Sequence, residues 1–175
     1  MDVGRAGPQD VAHLAHLLWL NGTPDQQAQQ DAASFTTDLA AWWADHVGSH
    51  VAFLARPARS DAVGMAWLAL LPRVPRPGAT ARLSADIQSV FVLPRQRGAG
   101  IGTALVRAAT DHAVRLGAAR VTVHSSTRAV PVYERLGFAS SRQLMQTPPE
   151  QIRGAGAQPS GPPSLPPMPP PPPNC

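Results

Sequence analysis

The stretch Val90-Phe91-Val92-Leu93-Pro94-Arg95-Gln96-Arg97-Gly98-Ala99-Gly100-Ile101-Gly102 decides how this chain is to be read. Its first four residues are apolar, the composition of a buried strand. Pro94 stops that strand because it has no N–H to donate. Glycines follow at alternate positions: Gly98, Gly100 and Gly102. The run from Gly100 to Leu116 then carries the clearest helical spacing in the chain, with Ile101, Ala104, Leu105, Ala108, Ala109, His112 and Leu116 on one face. A strand, a glycine-rich loop and a helix N-terminus in this order make an anion site. Glycine lets the main chain adopt positive φ and approach a ligand closely. The first N–H groups of a helix are free, and the helix dipole stands behind them. Arg95 and Arg97 add charge at the rim. The group expected there is a pyrophosphate held by main-chain amides.

Neighbouring residues weigh against other uses of such a loop. A Walker-type loop needs a Lys, and all 15 cationic residues are Arg. A dinucleotide fold wants an acid about 20 residues on, ending the next strand. Here that strand reads Val121-Thr122-Val123-His124. Close packing of a helix on a sheet would explain Gly102 but not all three glycines together.

The absence of Lys also excludes Schiff-base chemistry through a lysine. The 15 Arg against 11 acids give a net charge of +4. Codon usage accounts for most of this, since Ala and Pro are also abundant; an anionic ligand is the functional alternative. The arginines are scattered, with no basic run or interleaved aromatics, so nucleic acid is not an expected partner. The single Cys, Cys175, excludes internal disulfides and a Cys-based metal cluster. His46, His50 and His112 are too widely spaced to suggest a metal site, and none is expected. No apolar run approaches the roughly 18–20 residues of a membrane helix, so no membrane partner and a cytoplasmic location are expected.

Outward from the loop, strand and helix periods alternate. Strands are expected at Asp2–Arg5, Val51–Ala55, Ala62–Leu71, Asp86–Leu93 and Ala119–Val123, with a last one over Phe138–Met145. Helices are expected at Pro8–Leu20, over Asp25–His46 as one long or two short segments, at Gly100–Leu116 and at Ala129–Leu136. This is a mixed α/β order in a domain spanning residues 1–147. From Pro148 to Cys175, 12 of 28 residues are Pro. That composition predicts an extended, polyproline-like tail, inert or read by a proline-binding domain.

Two motifs together resemble the GCN5-related N-acetyltransferase (GNAT) family. Arg97-x-x-Gly100-x-Gly102 is similar to its Arg/Gln-x-x-Gly-x-Gly/Ala signature. About 30 residues on, Ala129-Val130-Pro131-Val132-Tyr133-Glu134-Arg135-Leu136-Gly137-Phe138 resembles its short helix with a Tyr followed by Leu-Gly-Phe. The likeness covers Val51 to Met145 well and the N-terminal helices loosely. It implies a mixed sheet splayed open between its fourth and fifth strands, with acetyl-CoA inserted there. The pantetheine arm would pair with main chain of Val90, Phe91 and Val92, and the pyrophosphate would sit on amides of Gly98, Ala99, Gly100, Ile101, Gly102 and Thr103. Arg97, and less directly Arg128, would meet the cofactor's phosphates. Many members carry Asn seven residues before the Tyr; here Ser126 stands there.

Acetyl transfer to an amine needs a neutral amine, a stabilised oxyanion and a protonated leaving thiolate. Tyr133, the only Tyr, is implied as the acid on the CoA sulfur; an isolated Tyr on a helix otherwise reads as packing. Asp86 and Gln88 would share a strand face with Val90 and Val92, making Asp86 a candidate base or a solvated strand start. His124 is a second candidate base. The reading that results is an acetyl-CoA-dependent N-acetyltransferase acting on an amine of a small molecule or protein. The alternative is a cofactor-binding module without catalysis that presents its proline-rich tail. A second copy of the chain is a further candidate partner.

Overall fold

The computed structural model describes residues 1–58, 61–142, 144 and 145. The chain divides into two compact units, Met1–Ala139 and Ser140–Cys175. All helices and strands among the described residues lie in the first unit. The expected boundary at Thr147 and the proline-rich tail lie outside the described residues.

Five strands form one sheet in the order β1-β2-β3-β4-β5. They are β1 Asp2–Arg5, β2 His50–Arg56, β3 Gly64–Arg73, β4 Arg82–Val92 and β5 Ala118–Val123. The first four are antiparallel neighbours, and β5 runs parallel to β4. Val51–Ala55 of β2 and Gly64–Ala69 of β3 are buried on both faces, as their unbroken apolar runs require.

One face of the sheet is covered by α1 Val11–Asn21 and α3 Ala32–His46, which bury Leu14, Leu17, Leu39 and Trp43 against Ala52, Leu54, Met65, Trp67 and Phe91. Between them lies the short α2 Pro24–Gln29. The segment Asp25–His46 is thus two helices, because Gln30 is extended and the Asp31 carboxylate caps a new start, accepting from Ala33 and Ser34 N–H at 2.9 and 3.0 Å. The other face is covered by α4 Ile101–Arg115. Its buried stripe is Ile101, Leu105, Val106, Ala109 and Ala113. Ala104 and Leu116, expected on that face, are exposed; the helix is rotated so that Val106 and Ala113 take their place. The chain then forms α5 Val130–Glu134. The strand expected at Phe138–Met145 is not there: among the described residues of that segment none is in a strand. Alternation of apolar residues is a weak signal in a stretch that carries so few of them.

Two features of β4 shape everything near the glycine loop. The first is a break in register with β3 between Trp67 and Leu68, where Trp67 faces Ser89 but Leu68 faces Ile87. Gln88 is therefore an extra residue on β4, a β-bulge. A bulge reverses the alternation beyond it. Ala85 and Ile87 pack on the α4 face, and so do Val90 and Val92, whereas Phe91 packs with α1 and α3. Asp86 thus lies on the opposite face from Val90 and Val92, not on the same one as plain period-two reading predicts. The second feature is the end of the pairing with β5. It covers Leu83 to Ile87, the last pair being Ile87 with Val123, while β4 itself continues to Val92. The sheet is splayed there, and the β5-side edge of β4 from Gln88 onward has no strand beside it among the described residues.

Candidate active site

The opened edge of β4 and the glycine loop form a continuous main-chain surface. In an antiparallel ladder, polar main-chain groups point alternately to the two neighbours. Leu93 N–H donates to Val63 O at 2.9 Å, and the register continues with Val92 opposite Gly64 and Phe91 opposite Met65. The main-chain groups of Phe91 are therefore directed at β3, and those of Val90 and Val92 at the opening. Of the three residues expected to pair with an extended ligand, two present their polar atoms to it.

The loop that follows makes a short 3-10 turn, Pro94–Gln96, and then two left-handed residues, Gly98 (φ 84°) and Gly100 (φ 76°). A side chain in that conformation costs about 1–2 kcal/mol, which explains these two glycines. Gly102 needs a different reason. Its φ is not in the left-handed region, and an added Cβ would meet only Val92 Cγ2 at 3.8 Å, an ordinary contact. Neither backbone conformation nor crowding by the described residues demands glycine there. The helical ladder of α4 starts with Ala104 N–H donating to Gly100 O at 3.0 Å. Among the described residues, the six preceding amides, Gly98, Ala99, Gly100, Ile101, Gly102 and Thr103, donate to no protein acceptor, and Gly100, the N-cap, offers no side-chain cap. Free amides at a helix start with the dipole behind them suit a phosphate group.

Arg97 does more than add charge. Its Nε donates to Val92 O at 3.0 Å, and its guanidinium carbon lies 5.8 Å from the Phe91 ring centre. It fastens the loop to the end of β4 and takes one of the acceptors in the opening. Arg95 and Ala99 are exposed.

Tyr133 sits on α5, half-buried against the α4-side core. Its ring is edge-on to Phe138 at 5.5 Å. Its main-chain carbonyl accepts from Leu136 and Phe138 N–H at 2.9 and 3.0 Å, and Gly137 takes φ 88° to close that turn. The Leu-Gly-Phe segment is thus the clamp that holds the Tyr133 ring. Burial pushes the phenol above its usual value of 10, so it stays protonated in neutral solution. Ser126 precedes the 3-10 turn Thr127–Ala129, is exposed, and accepts Ala129 N–H at 2.9 Å through its carbonyl. Arg128 on that turn is exposed as well.

The candidate bases separate. Asp86 accepts a 2.7 Å hydrogen bond from the hydroxyl of Thr122, its partner across β4 and β5. It faces the α1 and α3 side, as does Ser89, whose hydroxyl is 3.4 Å from Asn21 Nδ2 on α1. His124 is exposed at the end of β5. His50, which the sequence alone reads as a helix-end or packing residue, lies in the same row of the sheet as Asp86, through Ala69. Burial, and then the neighbouring His46, lower its pKa below 6.5, opposed by a hydrogen bond with Gln88. Trp42 stacks on His46 at 4.4 Å and meets His50 edge-on at 4.8 Å. Trp43 and Trp67 are core residues, whereas Trp42 is exposed. Gly64 was also missed. A Cβ there would come within 3.0 Å of Phe91 O and 3.1 Å of Leu105 Cδ1, so this glycine lets β4 and α4 close over the start of β3. Nothing in the local sequence marks either residue, because both are defined by contacts across the sheet. Among the described residues, no group of three metal-ligating side chains comes together, and no helix is long and apolar enough to cross a membrane.

Comparison with known proteins agrees with this geometry. Over 84 residues the chain is 36% identical to the glucosamine 6-phosphate N-acetyltransferase of Trypanosoma brucei brucei, a match covering 48% of this chain and 55% of that protein. The chain spans about half the length of this curated relative. Among solved structures, an acetyltransferase from Trypanosoma brucei superposes with a TM-score of 0.65 at 24% identity, covering 84% of this chain and 98% of that one. A protein from Clostridium acetobutylicum described as a predicted acetyltransferase, solved with acetyl-CoA, gives a TM-score of 0.64 at 16% identity, covering 86% of this chain and 97% of that one. Both share the fold of this chain. Residues 12–138, most of the chain, match the Acetyltransferase (GNAT) family, and the chain belongs to that family.

Proposed function

We propose that the chain transfers the acetyl group of acetyl-CoA to a primary amine of a small molecule or protein. The observation that carries this reading is the run of six free amides at the start of α4, continuous with the open edge of β4 at Val90 and Val92. A pyrophosphate fits the first surface, and an amide-bearing arm fits the second by main-chain pairing. The thioester would then lie near the bulge at Gln88, where β4 and β5 part.

In the reaction the amine nitrogen attacks the thioester carbon, the C–N bond forms and the C–S bond breaks. Tyr133, held protonated by burial, gives its proton to the departing thiolate sulfur. The proton lost by the amine goes to Asp86, directly or through water, from the α1 and α3 face. Thr122 orients that carboxylate. Ser126 and Arg97 border the cofactor, and no metal takes part. The 36% identical relative makes glucosamine 6-phosphate the first acceptor to try.

The experiment is release of free CoA from acetyl-CoA with a panel of amines, together with CoA binding by calorimetry. Binding with amine-dependent release is the expected result. Binding without release from any amine would favour a cofactor-sensing module instead, and no binding would remove both readings.

A further inference from the structure

At the far end of β4, the hairpin joining it to β3 gathers three arginines around one pocket of about 410 Å³, lined by Pro72, Arg73, Val74, Pro75, Arg76 and Arg82. Arg73 and Arg82 are direct cross-strand partners. Like charges in that position repel and destabilise a hairpin. Arg76 adds a third charge from the turn. The turn is rigid: Arg76 and Ala79 exchange main-chain hydrogen bonds at 3.0 and 2.9 Å around Pro77 and Gly78, with Gly78 at φ 77°. This is the pattern of a type II turn, with Pro and then Gly at its centre. Pro72 and Pro75 stiffen the approach. Arg82 is held in place as its Nη1 donates to Val74 O at 2.7 Å. Among the described residues no carboxylate forms an ion pair with any of the three; Asp10 pairs instead with Arg56, at the end of β2. Burial and the charges of Arg76 and Arg73 make Arg82 less willing to hold its own proton, which fits uncompensated convergence.

We propose that Arg73, Arg76 and Arg82 form a second anion site, built for a multiply charged oxyanion and separate from the glycine loop. A repulsive pair fixed on a rigid hairpin is relieved by a ligand that each guanidinium can fork onto. The site is distinct from the glycine loop: Arg82 and Val92, whose carbonyl holds Arg97, are the first and eleventh residues of β4, which at about 3.3 Å per residue places them about 30 Å apart.

The test is thermal unfolding of the full chain saturated with CoA, titrated with pyrophosphate and, separately, with citrate, against sodium chloride at matched ionic strength. Pyrophosphate or citrate should raise Tm by about 5 °C beyond chloride, and the larger response names the ligand as phosphoryl or carboxylate. Arg76→Gln should abolish that increment while raising Tm without ligand, since it removes repulsion and breaks no side-chain hydrogen bond. Arg73→Gln should behave likewise. Because the glycine loop also suits pyrophosphate, CoA saturation is verified first, and a chain that does not take up CoA is judged on the Arg76→Gln difference with citrate alone. Shifts no greater than those of chloride, or an increment that survives Arg76→Gln, overturn the proposal.

Discussion

At the scale of single residues, Tyr133 and the loop glycines make separable predictions. Replacing Tyr133 by Phe removes one oxygen and leaves the edge-on contact with Phe138. With general acid catalysis contributing about 10²–10⁴-fold, kcat should fall at least 100-fold while the Kd for CoA stays unchanged. Because burial raises the phenol above 10, any alkaline limb of wild-type kcat from this group should have its midpoint above pH 10, checked by a pH–rate profile. Unchanged turnover in the variant would remove Tyr133 from the mechanism. The glycines divide by cause. Gly100→Ala places a side chain at φ 76° and should lower stability by about 1 kcal/mol, with weaker CoA binding following from the shifted loop. Gly102→Ala meets open helix and one 3.8 Å contact, so by helix propensity it should stabilise by up to about 1 kcal/mol. It should nevertheless weaken CoA binding at least tenfold. Denaturant unfolding and calorimetry on both variants separate strain within the chain from obstruction of a ligand.

At the scale of elements, the legible parts were those with a local code. Helix α4 and the loop before it follow from glycine spacing and period 3.6, and both were readable in the chain. The β4 bulge was not, because inserting Gln88 against β3 is a matter of register between distant strands. Its consequence is that Asp86 and Val90 part to opposite faces, which plain alternation misassigns. The stripe on α4 was misread by part of a turn for a similar reason: small Ala residues at 104, 108, 109 and 113 give little hydrophobic contrast, and packing against β3 and β4 decides which are buried. Gly64 belongs to this scale as well, since its role is to let three elements meet. Gly64→Ala forces a methyl to 3.0 Å from Phe91 O, 3.1 Å from Leu105 Cδ1 and 3.2 Å from Val92 Cγ2. Overpacking of this kind costs about 1–3 kcal/mol. It should also displace the end of β4, where Val92 O holds Arg97. The expected outcome is a lower Tm together with a raised KM for acetyl-CoA at nearly unchanged kcat, since Tyr133 lies on another element. A fall in kcat alone would contradict this account.

At the scale of the folded domain, the sheet separates two apolar cores, and each has a histidine at its margin. His112 on α4 meets Phe53 edge-on at 5.7 Å. Its pKa is lowered by burial, then by Arg5 and Arg115. His50 borders the other core among Trp42, His46 and Gln88, lowered by burial and by His46. Both groups hold a proton less readily folded than unfolded. Between their folded values and 6.5 the unfolded chain binds more protons, so stability rises with pH through that window. It is complete above 6.5 and is lost as pH falls below 6.5 toward and past the folded values. Carboxylates add their own loss at lower pH; Asp31, lowered by its hydrogen bonds with Ser34, is one, and its contribution falls away below the ordinary Asp value of 3.8. Denaturant midpoints measured from pH 8 to pH 4.5 should therefore decline in an early step that begins as pH falls below 6.5, before the carboxylate step. His112→Gln and His50→Gln should each shrink that early step, and because the two lie on opposite faces of the sheet, the double variant should remove the sum of the two changes. A step that persists undiminished in the double variant would place the acid sensitivity elsewhere in the molecule.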